Sequence, residues 1–304
     1  MKAHSGWEFE TWTSRDMPTA TVQQWLQGAV APRPIALASS VNARGEVNLA
    51  PFSFYNVFGA NPPVLIFSPA LRVRDGSSKH TLNNVLEVPE VVVSVVPFAL
   101  VEQVSLASSE YPEGVNEFHK AGLTPLASLA VRPPRVAECP VHFECKVTEV
   151  KALGREGGAG NLVLCEVLHF HVARQVLDSR GGIDPYALDL VGRLGGDWYV
   201  RSREGLFEVE KPLRSCGIGV DALPSWLVKE ATLSGNFLAR LANQAQQPDR
   251  ETVQAVWLRE MPLHGPDPES EAGRRMVLER VLRLLEEGRN TDALALAFGP
   301  PAVS

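Results

Sequence analysis

The sequence predicts a mainly β protein, an antiparallel barrel with inserted helices that is followed by a helical C-terminal extension. Short runs rich in Val, Ile, Leu and Phe, bounded by Pro, Gly or Asn, alternate with turn signals up to about Arg201. Such runs are typical of strands. Beyond Arg201 the apolar residues fall at helical spacing. We therefore expect residues 1–204 to form the β domain and residues 205–304 to form the extension.

The strand pattern favours a barrel over a doubly wound sheet. Residues 141–148 alternate apolar and polar side chains, which predicts a strand with one face toward solvent. Residues 91–96 are apolar on both faces, so both should be covered. The glycine-rich segment 151–161 predicts a hairpin loop. The predicted strands are 35–41, 64–68, 90–96, 141–150 and 161–172, and the predicted helices are 19–27, 78–87, 98–108, 224–243, 250–261 and 271–287.

Composition excludes several classes of function. The 304 residues are 45% hydrophobic and 21% charged, as in ordinary globular proteins. The net charge is −6 and the basic residues are dispersed, so we expect no nucleic-acid or membrane partner. The N-terminus lacks the apolar core of a signal peptide, and no run of about 18 apolar residues occurs. These features predict a cytoplasmic protein.

The four cysteines do not indicate a metal or redox site. They contain no CxxC pair and no paired spacing of the kind that zinc sites require. We expect them to be buried, reduced thiols in strands.

The segment RVRDGSSKHTLNNV, residues 72–85, has the composition of a phosphate site. It places cations and hydroxyl groups, including Arg74, Lys79 and Thr81, at the start of a predicted helix. A phosphate dianion is held by free N–H groups, hydroxyl donors and cations in such a position. The alternative is an ordinary capped helix with solvated charges.

A second segment, residues 33–54, combines small hydroxyl side chains with an apolar wall. Ser39 and Ser40 end a predicted strand, and the sequence NLAPFSF follows a short turn. Pro51 removes one hydrogen-bond donor from the strand ladder. The backbone groups freed there could bind the edge of a planar heteroaromatic ring, against a wall of Ala50, Pro51 and Phe52. Ordinary strand-end chemistry is the alternative.

These two segments, with SSEYPEGVNEFHKAGLTPL, RPPRVAECPVHFECKV and GRLGGDWY, stand in a familiar order and spacing. Over residues 33–199 the sequence resembles the flavin reductase-like, FMN-binding split-barrel family. The resemblance implies a six-stranded antiparallel split barrel of Greek-key type that forms a homodimer and holds one FMN per subunit near the dimer interface. The flavin-binding residues that it implies are Ser39, Ser40, Ala50, Pro51, Phe52, Ser53, Arg74, Lys79 and Thr81.

The resemblance implies an FMN-dependent oxidoreductase that passes a hydride from NAD(P)H to the bound flavin and on to free flavin, a monooxygenase partner or a small acceptor. Two alternatives stay open: a flavoredoxin-like electron carrier without enzymatic activity, and a split-barrel scaffold without flavin. No Ser-His-Asp order or paired carboxylates stand out. We therefore name no catalytic residue, since in a flavoprotein the cofactor performs the hydride chemistry.

Other features allow more than one interpretation. His142, His169 and His171 could be structural, could border the flavin, or could bind a metal, although no carboxylate follows them at cupin spacing. His80 replaces an Asp that is found in many relatives. Trp198 and Tyr199 could stack on a flavin or pack in the core. The extension could cover the pocket, widen the dimer interface or recruit a partner.

Overall fold

The structure is a computed structural model, and it describes residues 7–209, 211–212, 216–261 and 270–299. The chain divides into two compact units, Met1–Phe207 and Glu208–Ser304. None of the helices in these described ranges is both long enough and apolar enough to cross a membrane.

The first unit, the sheet unit, is built on a seven-stranded antiparallel sheet with the strand order β2-β1-β5-β8-β9-β4-β3. Seven strands are present where the resemblance implies six. All five predicted strands are confirmed, while β2 and β3 were not predicted. Two short ladders, β6–β7 and β10–β11, complete the β structure. The strands are β1 Ala36–Val41, β2 Val47–Phe52, β3 Tyr55–Ala60, β4 Pro63–Phe67, β5 Glu90–Val95, β6 Pro125–Leu126, β7 Arg135–Val136, β8 Val141–Ala152, β9 Asn161–Val172, β10 Val191–Arg193 and β11 Tyr199–Arg201.

The described part of this unit also contains five α-helices, of which α1 precedes the first strand, and the three that were predicted there are present. The predicted helix 98–108 begins with a 3-10 turn at Phe98–Leu100. The helices are α1 Thr19–Ala29, α2 His80–Glu87, α3 Val101–Ala107, α4 Glu117–Ala121 and α5 Pro185–Leu188.

The central strands are buried on both faces. Leu37 of β1 packs with Leu100 and Phe118, whereas Ala36 and Ala38 pack on the other face with Phe67. This alternation follows from the two-residue period of a strand. Residues 91–94 of β5 are all buried, which confirms that this strand is covered on both sides.

The prediction of a solvent-facing side for β8 was wrong at its first residues. His142 and Glu144 are buried, at 5% and 0% exposure, while Lys146 is exposed as predicted. The backbone N–H groups of Leu129 and Ala130 donate to the Glu144 carboxylate at 2.8 and 2.7 Å. The loop at residues 127–134 therefore covers this face. The β8–β9 hairpin is confirmed, with Ala152 opposite Asn161.

The second unit, the helical unit, has its own apolar core, which includes Leu227, Leu241, Leu284 and Leu294. The predicted helix 224–243 is broken into two helices, because Ser234 ends the intervening turn and accepts the Phe237 N–H as an N-cap. The last helix was not predicted. The helices are α6 Ser225–Lys229, α7 Gly235–Ala242, α8 Arg250–Glu260, α9 Glu271–Glu286 and α10 Asn290–Ala297.

A buried carboxylate joins three helices of this unit. Glu260, at the end of α8, has a side chain that is 3% exposed and pairs with Arg259 at 2.8 Å. It also pairs with Arg280 of α9 and with Arg289, which directly precedes α10. Burial raises the pKa of Glu260, but hydrogen bonds from the three guanidinium groups outweigh burial and hold it at about 2.

All four cysteines are free thiols, but they do not share one environment. Cys139, Cys145 and Cys165 are buried, and the latter two lie in strands. Cys216 is exposed, so the prediction of a buried thiol was wrong at this position.

Candidate functional site

The sequence NLAPFSF forms the wall of the candidate site. Its first five residues belong to β2, an edge strand in which Pro51 lies opposite Leu37 of β1. Proline is tolerated there because an edge strand has one side without ladder bonds. Phe52 packs on Phe67 with ring centroids 5.2 Å apart, while Ala50 and Pro51 are partly exposed.

A cleft of about 420 Å³ lies against this wall, and we call it the cationic cleft. Three cations line it: Arg72, Arg74 and Lys79. Arg74 and Lys79 were predicted as phosphate contacts, and the structure brings them together with the predicted wall. The complete lining is Gln23, Ala50, Pro51, Phe52, Ala70, Leu71, Arg72, Val73, Arg74, Lys79, Ser108 and Glu110.

The cations of the cleft differ in how they are paired. Glu110 accepts Arg72 Nε at 3.0 Å and lies 2.8 Å from Arg74 Nη1, and Asp75 accepts Arg74 Nε at 3.0 Å. Within the described ranges, by contrast, Lys79 Nζ forms no hydrogen bond or ion pair. Burial lowers the pKa of Lys79, and the charge of Arg72 lowers it further. The Lys79 ammonium is thus partly desolvated and has no direct counter-ion there.

A second space of about 950 Å³, which we call the wide cavity, adjoins the first. The two share Pro51, Lys79 and Ser108. The wide cavity is also lined by Ser53 and by residues of the GRLGGDWY segment. Its complete lining is Gln27, Ile35, Pro51, Ser53, Lys79, Phe98, Val101, Glu102, Val104, Ser105, Ser108, Val191, Arg193, Asp197, Tyr199, Arg201 and Glu204.

Of the two aromatic residues in that segment, only Tyr199 lines the wide cavity. The Arg193 guanidinium lies 4.5 Å from the centre of the Tyr199 ring, a cation–π contact. Trp198 is 76% exposed and lines neither the wide cavity nor the cationic cleft.

Three predicted flavin contacts are buried behind the wall. Ser39, Ser40 and Thr81 are at most 1% exposed and line neither space. Ser39 Oγ donates to the Pro134 carbonyl. Ser40 Oγ accepts Asn84 Nδ2 at 3.1 Å, and Thr81 Oγ1 accepts Asn48 Nδ2 at 2.8 Å. The last two bonds hold β1 and β2 against α2. Direct contact of the three hydroxyl groups with a flavin stays a prediction.

Another buried carboxylate supports the wall at Leu49, next to Ala50. Glu117 of α4 is 4% exposed and accepts the Leu49 N–H at 2.8 Å. Burial raises the pKa of Glu117, and the nearby His80 is among the groups that oppose this rise. His80, the first residue of α2, is thus close enough for its charge to act on the Glu117 carboxyl group.

Sequence reasoning did not find the role of Arg33, which lies at the start of the first motif. This side chain is 7% exposed, and its backbone exchanges two hydrogen bonds of 2.9 Å with Arg193. Burial lowers the pKa of Arg33, and the charge of Arg193 lowers it further. The guanidinium donates to the carbonyl groups of Gln27, Val30 and Leu194 and, from Nε at 3.4 Å, to Ser53 Oγ.

The three histidines do not form a common site. His171 Nε2 lies 2.7 Å from Glu144 Oε1, and His142 Nδ1 lies 3.0 Å from Ser94 Oγ. His169 is exposed. Over the residues that the structure describes, no group of three or more His, Cys, Asp or Glu side chains could hold a metal ion.

The antiparallel sheet with its inserted helices is the architecture of a split-barrel protein. The chain belongs to the family described as Flavin reductase like domain, which matches residues 29–187, just over half of the sequence. The resemblance seen in the sequence is thereby confirmed.

The chain is also similar to a curated relative and to solved structures. An uncharacterized protein of Halalkalibacterium halodurans is 41% identical over 189 residues, which are 62% of this chain and 89% of the relative. Nitrilotriacetate monooxygenase component B from Bacillus cereus is 28% identical with a TM-score of 0.61, and the match covers 67% of this chain and 98% of that one. The same fold is found in a protein with a split barrel domain from Shewanella frigidimarina. That protein is 24% identical with a TM-score of 0.56, and the match covers 65% of this chain and 95% of that one.

Proposed function

We propose that this protein binds FMN and acts as an oxidoreductase of the flavin reductase type, with NAD(P)H as the electron donor. One observation carries the proposal: a cleft lined by three cations lies next to a wide cavity, and Lys79, which has no direct counter-ion in the described part of the chain, borders both. Membership of the flavin reductase family supports it.

The residues present fit the two ends of FMN. Arg72, Arg74 and Lys79 would hold the phosphate, because arginine and lysine bind phosphate oxygens through charge-assisted hydrogen bonds. Ala50 and Pro51 would form the apolar wall for the ring system. When bound, FMN would supply the hydride acceptor, and the protein would supply binding, orientation and electrostatics.

The electron acceptor in this proposal is free flavin, a partner protein or a small molecule. This chain is similar to component B of a monooxygenase, and this similarity supports a second protein as the electron acceptor. An apolar hollow of about 490 Å³ in the sheet unit supports the proposed homodimer, since Val57 and Phe170, which line it, are at least 59% exposed. Location in the cytoplasm stays a prediction.

Two measurements test the proposal against its alternatives. Added FMN should raise the melting temperature, because a ligand that binds the native state stabilises it. A colourless protein whose melting temperature does not respond would leave only the scaffold without flavin. Anaerobic mixing of the FMN-loaded protein with NADH and then NADPH separates enzyme from carrier. Bleaching at a catalytic rate supports the enzyme, and no bleaching with either donor supports the flavoredoxin-like carrier.

The phosphate contact is tested by Lys79→Ala. Loss of one charge-assisted hydrogen bond should weaken FMN binding by about tenfold or more. Binding of riboflavin, which lacks the phosphate, should change much less. Isothermal titration or fluorescence quenching measures both ligands, and Lys151→Ala, at an exposed residue near the end of β8, serves as the matched control. An unchanged FMN affinity in Lys79→Ala would place the phosphate elsewhere.

A further inference from the structure

Two arginines face each other beside the wide cavity. Arg33 and Arg193 exchange both backbone hydrogen bonds across an antiparallel bridge. Residues directly opposite in such a pair have their side chains on the same face, with Cβ atoms about 5 Å apart. Like charges in this arrangement are destabilising. The chain therefore holds two positive charges together at an energetic cost.

Among the described residues, no carboxylate lies within ion-pair distance of either guanidinium. Arg33 is surrounded by carbonyl and hydroxyl oxygens, and Arg193 lies over the ring of Tyr199. Other charged groups also line the wide cavity: Lys79, Glu102, Asp197, Arg201 and Glu204. Arg201 is paired with Asp189 at 2.6 Å and with Glu204 at 3.2 Å, so its charge is compensated.

Because Arg33 is buried, it cannot contact a ligand in the wide cavity as a residue of its lining would. At 7% exposure, with its N–H groups bonded to protein oxygens, the Arg33 guanidinium does not line the cavity. It lies behind Ser53, which does. Arginine stays charged at any ordinary pH, and a fixed charge in a partly desolvated site acts strongly on charges nearby. Arg33 can thus act through its field, without contact.

We propose that Arg193, which lines the wide cavity, and Arg33, which lies behind Ser53, together stabilise the negative charge that a bound flavin ring gains on reduction. The inference rests on the proposed function. A hydride carries two electrons and one proton, so its addition to a neutral ring leaves one net negative charge. The charge of the FMN phosphate is the same before and after, so the two arginines favour the reduced over the oxidised form.

The midpoint potential of bound FMN tests this inference without an activity assay. In Arg193→Gln, binding of reduced FMN should weaken about tenfold more than binding of oxidised FMN, which lowers the two-electron potential by about 30 mV. Arg193→Lys, which keeps the charge, should restore most of the potential. The control is Arg180→Gln, at a side chain that is 90% exposed, and its potential should match that of the wild type.

Arg33 is tested first with a substitution that keeps its charge, because removal of this buried side chain endangers folding. Arg33→Lys should keep the wild-type potential, and Arg33→Met, where it folds, should lower it by at least as much as Arg193→Gln. An unchanged potential in Arg193→Gln, or equal weakening of both redox forms, would overturn the inference and leave FMN binding intact. Failure of the wild-type protein to bind FMN would instead contradict the proposed function itself.

Discussion

Glu260 in the helical unit and Arg33 in the sheet unit are both nearly fully buried charged side chains, but their surroundings differ. Glu260 is bonded to its neighbour Arg259 in α8 and to two arginines from other parts of its unit, Arg280 and Arg289. Arg33 has carbonyl and hydroxyl oxygens around it, and the nearby charge is a second arginine. A buried charge with a counter-ion stabilises a fold when the pairing offsets the cost of removing the charge from water. A buried charge without a counter-ion is held in place by the rest of the fold, and it can still interact with a charged ligand.

The largest effect on stability should follow from removing the charge of Glu260. Glu260→Gln leaves Arg280 and Arg289 without the carboxylate, and breaking such a buried network costs about 3 kcal/mol. Native-state hydrogen exchange of the amides in α8, α9 and α10 should show this loss in the helical unit. The matched control is Glu279→Gln, whose side chain is 72% exposed and which should change the free energy of unfolding by less than about 0.5 kcal/mol. Equal exchange in both variants would contradict a stabilising role.

Acid should weaken the same network in the wild type. The folded-state pKa of Glu260, about 2, lies below its ordinary value of 4.5. Its contribution to stability is therefore fully present above about pH 4.5 and is lost as the pH falls through about 2. Hydrogen exchange in α8–α10 between pH 4.5 and pH 2 should accelerate, after correction for intrinsic rates, more in the wild type than in Glu260→Gln. A parallel pH dependence in the two proteins would mean that other carboxylates control acid unfolding.

The sheet unit also contains a buried carboxylate with hydrogen-bond partners, Glu144, which can be compared with Glu260. Glu144 accepts two backbone N–H groups and lies 2.7 Å from His171 Nε2. Burial raises the pKa of Glu144, but these hydrogen bonds outweigh it and lower the pKa overall. Glu144→Gln should cost about 2 kcal/mol, because a neutral amide cannot satisfy all of these donors. Faster hydrogen exchange in residues 127–134 would confirm this, with Glu149→Gln, exposed on the same strand, as the control.

The smallest effect concerns the cationic cleft. Glu110 binds Arg72 and Arg74 there, so a phosphate has to compete with it for these cations. Glu110→Gln should tighten FMN binding by about twofold to threefold, because exposed ion pairs are weak. The control Glu113→Gln, at a 73% exposed side chain paired with Arg44, should bind FMN as the wild type does. Weaker FMN binding in Glu110→Gln would show that Glu110 positions the arginines instead of competing for them.

Local patterns predicted much of the sheet, and tertiary contacts explain what they missed. The strand 161–172 was predicted at its observed bounds because its composition and its turn are local signals. The edge strands β2 and β3 were missed, since one contains Pro51 and the other exposes Val57 and Phe58. Burial of Glu144 was missed because a loop that precedes β8 in sequence folds over it.

Prediction of the site was limited in the same way, because only features that are local in sequence could be recognised. Lys79 and Arg74 were predicted from a cationic helix start and a family resemblance, and they do line one cleft with the β2 wall. The pair of Arg33 and Arg193 joins positions far apart in sequence, so no local pattern indicates it. Glu110 was part of a recognised motif, but its ion pairs depend on how two loops approach each other.

The strand order also determines when this sheet can form during synthesis. The hairpins β1–β2 and β3–β4 are neighbours in sequence but occupy opposite edges, because β5, β8 and β9 lie between them. On the ribosome β3–β4 has no sheet partner until β9 emerges, and an isolated hairpin is marginally stable. Strand pairing over such sequence separations is slow. The β3–β4 hairpin can therefore join the sheet only after β9, which ends at residue 172, has left the exit tunnel, whereas β1–β2 can pair with β5 earlier.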